Sequence, residues 1–144
     1  MKKKILAIML AVVLAVAAMP LSLSAYDRSI TVTINGNAVY FPDQQPIIVD
    51  GRTLVPVRGV FESLGFGIEW QDSTRTVFLA NAYHAVIIRI GNSIFVTNGV
   101  TYGLDVPARL IGERTMLPLR AVLESVGVAV DWCGYTWTVL IRTY

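Results

Sequence analysis

Gly51-Arg52-Thr53-Leu54-Val55-Pro56-Val57-Arg58-Gly59-Val60-Phe61-Glu62-Ser63-Leu64-Gly65 decides how the chain is read, because the chain says it twice. From Gly112 it runs Gly112-Glu113-Arg114-Thr115-Met116-Leu117-Pro118-Leu119-Arg120-Ala121-Val122-Leu123-Glu124-Ser125-Val126-Gly127. Arg52, Thr53, Pro56, Arg58, Val60, Glu62, Ser63, Gly65, Trp70, Thr76 and Val77 recur 62 residues later as Arg114, Thr115, Pro118, Arg120, Val122, Glu124, Ser125, Gly127, Trp132, Thr138 and Val139. Each copy predicts a short strand, then a helix opened by Pro56 or Pro118, where a missing N–H is no loss. Val57, Val60, Phe61 and Leu64 fall on one helical face, as do Leu119, Val122, Leu123 and Val126. Gly65 and Gly127 stop the helices as left-handed caps. Helices of about two turns are unstable alone. Each is expected to lie against its own sheet, with the tryptophan of the next strand, Trp70 or Trp132, as its lid.

Working outward, Arg28 to Ile34 alternates apolar and polar residues, a half-buried strand. Asn35-Gly36 turns it, since both residues tolerate positive φ. Ala38 to Phe41 returns, Pro46 to Val49 makes another short strand, and Asp50-Gly51 turns it into Thr53 to Val55. Phe66, Ile68 and Trp70 alternate in a strand that Gln71 to Thr74 turns into Thr76 to Ala80. Ala85 to Ile90 is a β-branched run and reads as a more central strand. Gly91-Asn92 turns it so that Ile94 to Thr97 pairs back, and Asn98-Gly99 makes another hairpin, echoing Asn35-Gly36. In the second copy Pro107 to Ile111 answers Pro46 to Asp50, and Thr115 to Leu117 answers Thr53 to Val55. Val128, Val130 and Trp132 form the next strand and Thr136 to Arg142 the last. The fold class is therefore α+β: strand-dominated antiparallel sheets with two short helices, an internal pseudo-repeat of two β-β-α-β-β units (residues 30–80 and 85–142) sharing one core.

Residues 1–25 read as a secretory signal peptide. Lys2, Lys3 and Lys4 precede an uncharged apolar run from Ile5 to Ala18, then Pro20 and the small residues Ser22, Ser24 and Ala25. The run is short of the roughly 20 residues that span a bilayer. Cleavage after Ala25 or after Ser24, or retention of the leader as an anchor, are the alternatives. With no cysteine directly after the run, a lipoprotein anchor is not expected. The remainder, 26–144, is expected to form one domain at the envelope or outside the cell. The three lysines are the only ones, so residues 26–144 hold nine arginines against ten acids, a net of −1. The basic balance belongs to the leader, and no face for nucleic acid is implied. The single Cys133 cannot make an internal disulfide, so the core must carry stability. About 120 residues suffice for that.

The motif Arg-Thr-Leu-Val-Pro-Val-Arg, the Phe-Glu-Ser-Leu-Gly that closes the helix, then Trp and Thr-Val, is similar to the copper amine oxidase N-terminal-like domain, or stalk domain, of secreted Gram-positive bacterial proteins. The resemblance runs from about Ile30 to Ile141. It implies an antiparallel sheet wrapped on short helices and an accessory module of exported proteins with no defined activity of its own. It does not imply a cofactor. In the oxidases, copper and quinone occupy a separate catalytic domain with three histidine ligands and a modified tyrosine, whereas this chain has only His84.

Candidate residues follow from both readings. Arg52, Pro56, Arg58, Glu62, Gly65 and Trp70, with Arg114, Pro118, Arg120, Glu124, Gly127 and Trp132, are read as the structural motif. The i,i+4 pairs Arg58/Glu62 and Arg120/Glu124 are expected to tie each helix to strand carbonyls; a twofold site for an acidic group is the sharper alternative. Ser63 and Ser125 lack a nucleophile elbow and read as helix-surface residues. His84 reads as an exposed strand-edge histidine, Glu69, Asp72 and Asp131 as single carboxylates, and Cys133 as a free thiol or an interchain link. The copies differ most at the last hairpin, where Tyr135 and Trp137 stand beside Trp132. Their aromatic faces would stack on sugar or anchor a protein partner if exposed; the plainer expectation is that the C-terminal unit packs them against the N-terminal strands. The expected function is a non-catalytic exported module. Its partner is cell-wall glycan, an envelope protein, or itself through open sheet edges. Contact with membrane arises only through an uncleaved leader. The alternatives are a small secreted hydrolase or metal-dependent enzyme, which would need convergent reactive groups, and a remnant of a longer modular protein.

Overall fold

A computed structural model describes residues 28–144, so the leader lies outside the described residues. Thirteen strands and two short helices follow in order. They are β1 (Thr31–Ile34), β2 (Asn37–Ala38), β3 (Ile47–Val49), β4 (Arg52–Pro56), α1 (Arg58–Glu62), β5 (Gly67–Gln71), β6 (Thr76–Ala80) and β7 (Ala85–Arg89). Then come β8 (Ile94–Thr97), β9 (Val100–Gly103), β10 (Arg109–Ile111), β11 (Arg114–Pro118), α2 (Leu119–Ser125), β12 (Ala129–Cys133) and β13 (Thr138–Arg142). No helix among the described residues is long and apolar enough to cross a membrane.

The strands make three sheets, in the orders β12-β13-β1-β2, β10-β11-β4-β3 and β5-β6-β7-β8-β9. In the sheet β10-β11-β4-β3 the two copies of the motif meet directly. Val55 stands opposite Leu117, with Leu54 opposite Pro118 and Pro56 opposite Met116. The alternation of a strand then sends Val55 and Leu117 into the main core, while Leu54 and Met116 form a smaller cluster with Val106 on the other face. The main core joins β1 (Val32), both helices (Val60, Phe61, Val122, Leu123) and β13 (Ile141), each at most 1% exposed.

The other two sheets are related in strand order. Omitting β7 from the five-stranded sheet leaves β5-β6-β8-β9, which matches β12-β13-β1-β2 position by position. Because β7 is antiparallel to both β6 and β8, those two run parallel. The chain's first strand does the same beside the last: β1 pairs with β13 in parallel, Thr31 opposite Thr138 through Ile34 opposite Ile141. The sheets are thus antiparallel with one parallel pair. The expected antiparallel sheets are present; the parallel pair is an addition to them, in which the first and last described strands lie side by side with no strand between them.

Local chemistry explains most element boundaries. The hairpin turns Asn35-Gly36, Asp50-Gly51 and Asn98-Gly99 hold both residues at positive φ, between 48° and 85°. Gly65 and Gly127 close the helices at φ 82° and 79°. Phe66 and Val128 reach back five residues to the carbonyls of Phe61 and Leu123, each at 3.0 Å, which satisfies helix-end acceptors. The prolines sit one step earlier than expected: Pro56 and Pro118 end strands β4 and β11. Pro118 is the N-cap of α2, its φ of −63° turning the strand into the helix. α1 is wound with the wider pattern of a π-turn, while α2 is α-helical.

Two further expectations shift. Phe41 is buried, but the second strand covers only Asn37–Ala38. The hairpin expected at Asn98-Gly99 forms, with β9 as its return strand; β9 is exposed at all four positions and so lacks the alternation that marks a strand in sequence. Pairing with β11 sets Ile111 opposite Arg114, as Val49 is opposite Arg52. The copies therefore correspond at Val49 and Ile111, one residue off the match read from Pro46 and Pro107. Gly112-Glu113 then makes the turn that Asp50-Gly51 makes, with Glu113 at φ 63°.

Candidate functional site

Two clefts open where an edge strand leaves the start of a helix. The larger, of about 730 Å³, has Val130 and Trp132 of β12, Val139 of β13 and Trp137 on one side. Pro118 to Ala121 at the start of α2 lie opposite, and the β3–β4 turn (Gly51 to Thr53) with the Gly103 to Val106 segment completes it. The smaller, of about 520 Å³, has Ile68 and Trp70 of β5 and Val77 of β6, facing Pro56 to Gly59. The β10–β11 turn (Glu113 to Thr115) and Phe41 to Gln44 complete it. Ile68, Trp70, Val77, Pro56, Val57, Arg58 and Gly59 stand 62 residues before Val130, Trp132, Val139, Pro118, Leu119, Arg120 and Ala121. Each cleft takes its helix and tryptophan from one copy of the motif and its turn from the other. Both volumes lie in the range of about 300–1,000 Å³ usual for small-molecule sites.

An arginine from the opposite copy fastens the rim of each cleft. Arg52 donates through Nε to Asp105 Oδ2 at 3.0 Å and forms a second contact through Nη2. Arg114 pairs through Nη2 alone with Asp43 Oδ2. These side chains are about half exposed or more, so each pair contributes at most about 1 kcal/mol. Their consequence is positional: each pins a loop to a hairpin turn.

Arg58 and Arg120 lie within 3.7 and 4.0 Å of Glu62 and Glu124. Among the described residues neither guanidinium bonds a strand carbonyl. The expected tie from helix to strand is therefore not formed by these side chains; Arg58 and Arg120 stand in solvent at the cleft mouths, 71% and 56% exposed.

The tryptophans are walls rather than lids. Trp70 packs partly against the core and donates from Nε1 to Asp72 Oδ1 at 3.3 Å. Trp132 is 39% exposed and meets Trp137 edge to face, ring centroids 5.9 Å apart. Trp137 is half buried, with the Arg28 guanidinium 5.5 Å over its ring. It occupies the last position of the β12–β13 turn at φ 53°, as Arg75 does at φ 52° in the β5–β6 turn. Tyr135, at 97% exposure, stands alone in solvent. Of the expected aromatic patch, Trp137 joins Trp132 and Tyr135 does not.

The remaining candidates have structural partners. Ser63 Oγ donates to the Gly59 carbonyl at 2.8 Å. Ser125 is not a plain surface residue: it bonds the Val122 carbonyl at 2.7 Å and the buried Thr97 hydroxyl at 2.8 Å, joining α2 to β8. His84 is half buried, its ring 6.5 Å from that of Phe66. Asp131 pairs with Arg142. Thr136 hydrogen-bonds Cys133 from side chain and main chain and draws its thiol below the ordinary value, against a smaller opposing effect of burial. Among the described residues no three His, Cys, Asp or Glu side chains converge on a metal position. The residues present do not fit the three-imidazole copper site of the oxidases, since His84 is the only histidine.

Sequence reading found Arg52, Arg114, Trp70 and Trp132 through their recurrence, but missed Asp43 and Asp105, which lie in loops outside the motif although they recur at the same 62-residue spacing. No curated relative matches the chain. The family model for the copper amine oxidase N-terminal domain matches residues 33–141. That match takes in both copies of the motif and both clefts, and the chain belongs to the copper amine oxidase N-terminal domain family.

Proposed function

We propose that the chain is a non-catalytic, exported module that holds glycan of the cell envelope. The observation that carries this reading is the Trp132–Trp137 pair, set edge to face at an open cleft of about 730 Å³. An indole face attracts the weakly positive C–H groups on the flat side of a pyranose ring, and burying that side removes apolar surface from water. The apolar leader supports export, and the balance of nine arginines against ten acids supports a neutral partner over nucleic acid.

The same reading takes the chain as a duplicated unit with a twofold relation centred between Val55 and Leu117, residues 62 apart that pair with each other. The first hairpin then fills, beside β13, the place that β8 and β9 fill in the five-stranded sheet.

The test is retention of the secreted protein on purified wall material, wild type against Trp137→Ala, with circular dichroism to confirm that both fold. Retention of the wild type and its loss in the variant support the reading. Equal, negligible retention of both removes it. One mass spectrum of the secreted product places the leader cleavage at Ala25 or Ser24, or finds the leader intact.

A further inference from the structure

The proposed function names one aromatic cleft, and a second is built in the same way around Trp70. We propose that both are saccharide-binding clefts, and that the module engages one neutral β-1,4-linked pyranose chain, or two neighbouring chains, at two places. The proposal rests on the glycan reading above and extends it to Trp70, which lies in the other half of the chain from Trp132.

Three observations carry it. First, the clefts match in residues and in construction: tryptophan on an edge strand, proline and arginine at a helix start, and an Arg–Asp pair on the rim. Second, their charges are mixed and nearly balanced. Arg52 and Arg120 face Asp105, Glu124 and Asp131 in one; Arg58 and Arg114 face Asp43, Asp72 and Glu113 in the other. Two guanidinium groups among three carboxylates repel a polyanion, yet offer alternating donors and acceptors, which is what vicinal hydroxyls require. Third, a planar apolar wall stands beside these polar groups, as a pyranose with equatorial substituents demands. An extended peptide fits less well. The edge strands β5 and β12 carry the exposed acids Glu69 and Asp131, charged guards against strand addition.

The clefts are not identical. Trp137 adds a second aromatic edge to the larger, where the smaller turn has Arg75. The Trp132 cleft is therefore the tighter. Two linked sites on one polymer raise retention well above either alone, on the order of a hundredfold where geometry permits.

The experiment titrates the 26–144 protein with chitotetraose and with cellotetraose by calorimetry, and measures retention on insoluble chitin, cellulose and peptidoglycan. The variants are Trp70→Leu, Trp132→Leu and the double variant, in which leucine keeps apolar bulk but removes the indole face. Wild-type indole fluorescence during the titration gives a readout that needs no variant. The expected result is two molecules bound per chain, one in each single variant and none in the double, with polymer retention falling at least tenfold in each single variant. The N-acetylated and plain sugars distinguish which pyranose is taken. Wall retention that survives the double variant, or that disappears when stem peptides are removed by an amidase, overturns the two-cleft assignment while leaving an envelope-binding module. A wild type that binds neither oligosaccharide nor any polymer overturns this assignment and the glycan reading together.

Discussion

Gly59 and Ala121 occupy the same place in the two copies, and their difference has a steric cause. A Cβ at Gly59 would stand 2.7 Å from Phe41 Cε1 and 2.9 Å from Cδ1, closer than real contacts allow. In the other cleft Leu104 lines the wall that Phe41 lines here, and alanine is present. Alanine in a helix is ordinarily about 1 kcal/mol better than glycine. Here Gly59→Ala is expected to destabilise by about 1–3 kcal/mol, because Phe41 is buried and must move. Adding Phe41→Leu should return a large part of that loss. Urea unfolding of the two single variants and the pair measures the coupling; additive effects would contradict the steric account. None of this was legible in the sequence, since residues 41 and 59 share no pattern until the fold brings them together.

At the scale of elements, the turns and caps were the most legible features. Asn-Gly and Asp-Gly pairs and the glycines after each helix are local chemistry, and local chemistry decides them. The β12–β13 turn is an exception, because Trp137 takes a positive φ with no small residue to announce it. That turn also sets the chemistry of Cys133. Thr136 favours the thiolate, so the thiol titrates below its usual range. The thiolate is the nucleophile, and its fraction at a fixed pH rises as the pKa falls. Iodoacetamide should therefore modify folded protein at lower pH than it modifies protein in urea. A Thr136→Ala variant should shift the folded profile back upward. Identical pH profiles for folded and unfolded protein would remove the hydrogen-bond explanation.

At the scale of the whole molecule, the reading from sequence obtained the strand-rich class and the two helices but not the closure. The parallel pair β1–β13 joins residues more than 100 positions apart, and no periodicity encodes that. The clefts were hidden for the same reason, because each is finished by a turn from the other half of the chain. One core that includes Val32 at one end and Ile141 at the other should melt as a unit. Val32→Ala, at a fully buried position, is expected to cost about 2 kcal/mol. Tryptophan fluorescence and far-ultraviolet circular dichroism should still report a single coincident urea transition. Separate transitions for the two tryptophan-bearing halves would contradict a common core.

The chain's three tryptophans, Trp70, Trp132 and Trp137, all stand at or beside the clefts, so they report on them directly. The decisive measurement follows their three indole N–H resonances by nitrogen-15 NMR while chitotetraose or cellotetraose is added. The account predicts that Trp70 and Trp132 shift along separate saturation curves, with Trp137 following Trp132. Indole resonances that stay fixed while the protein is still held by wall polymer would contradict it.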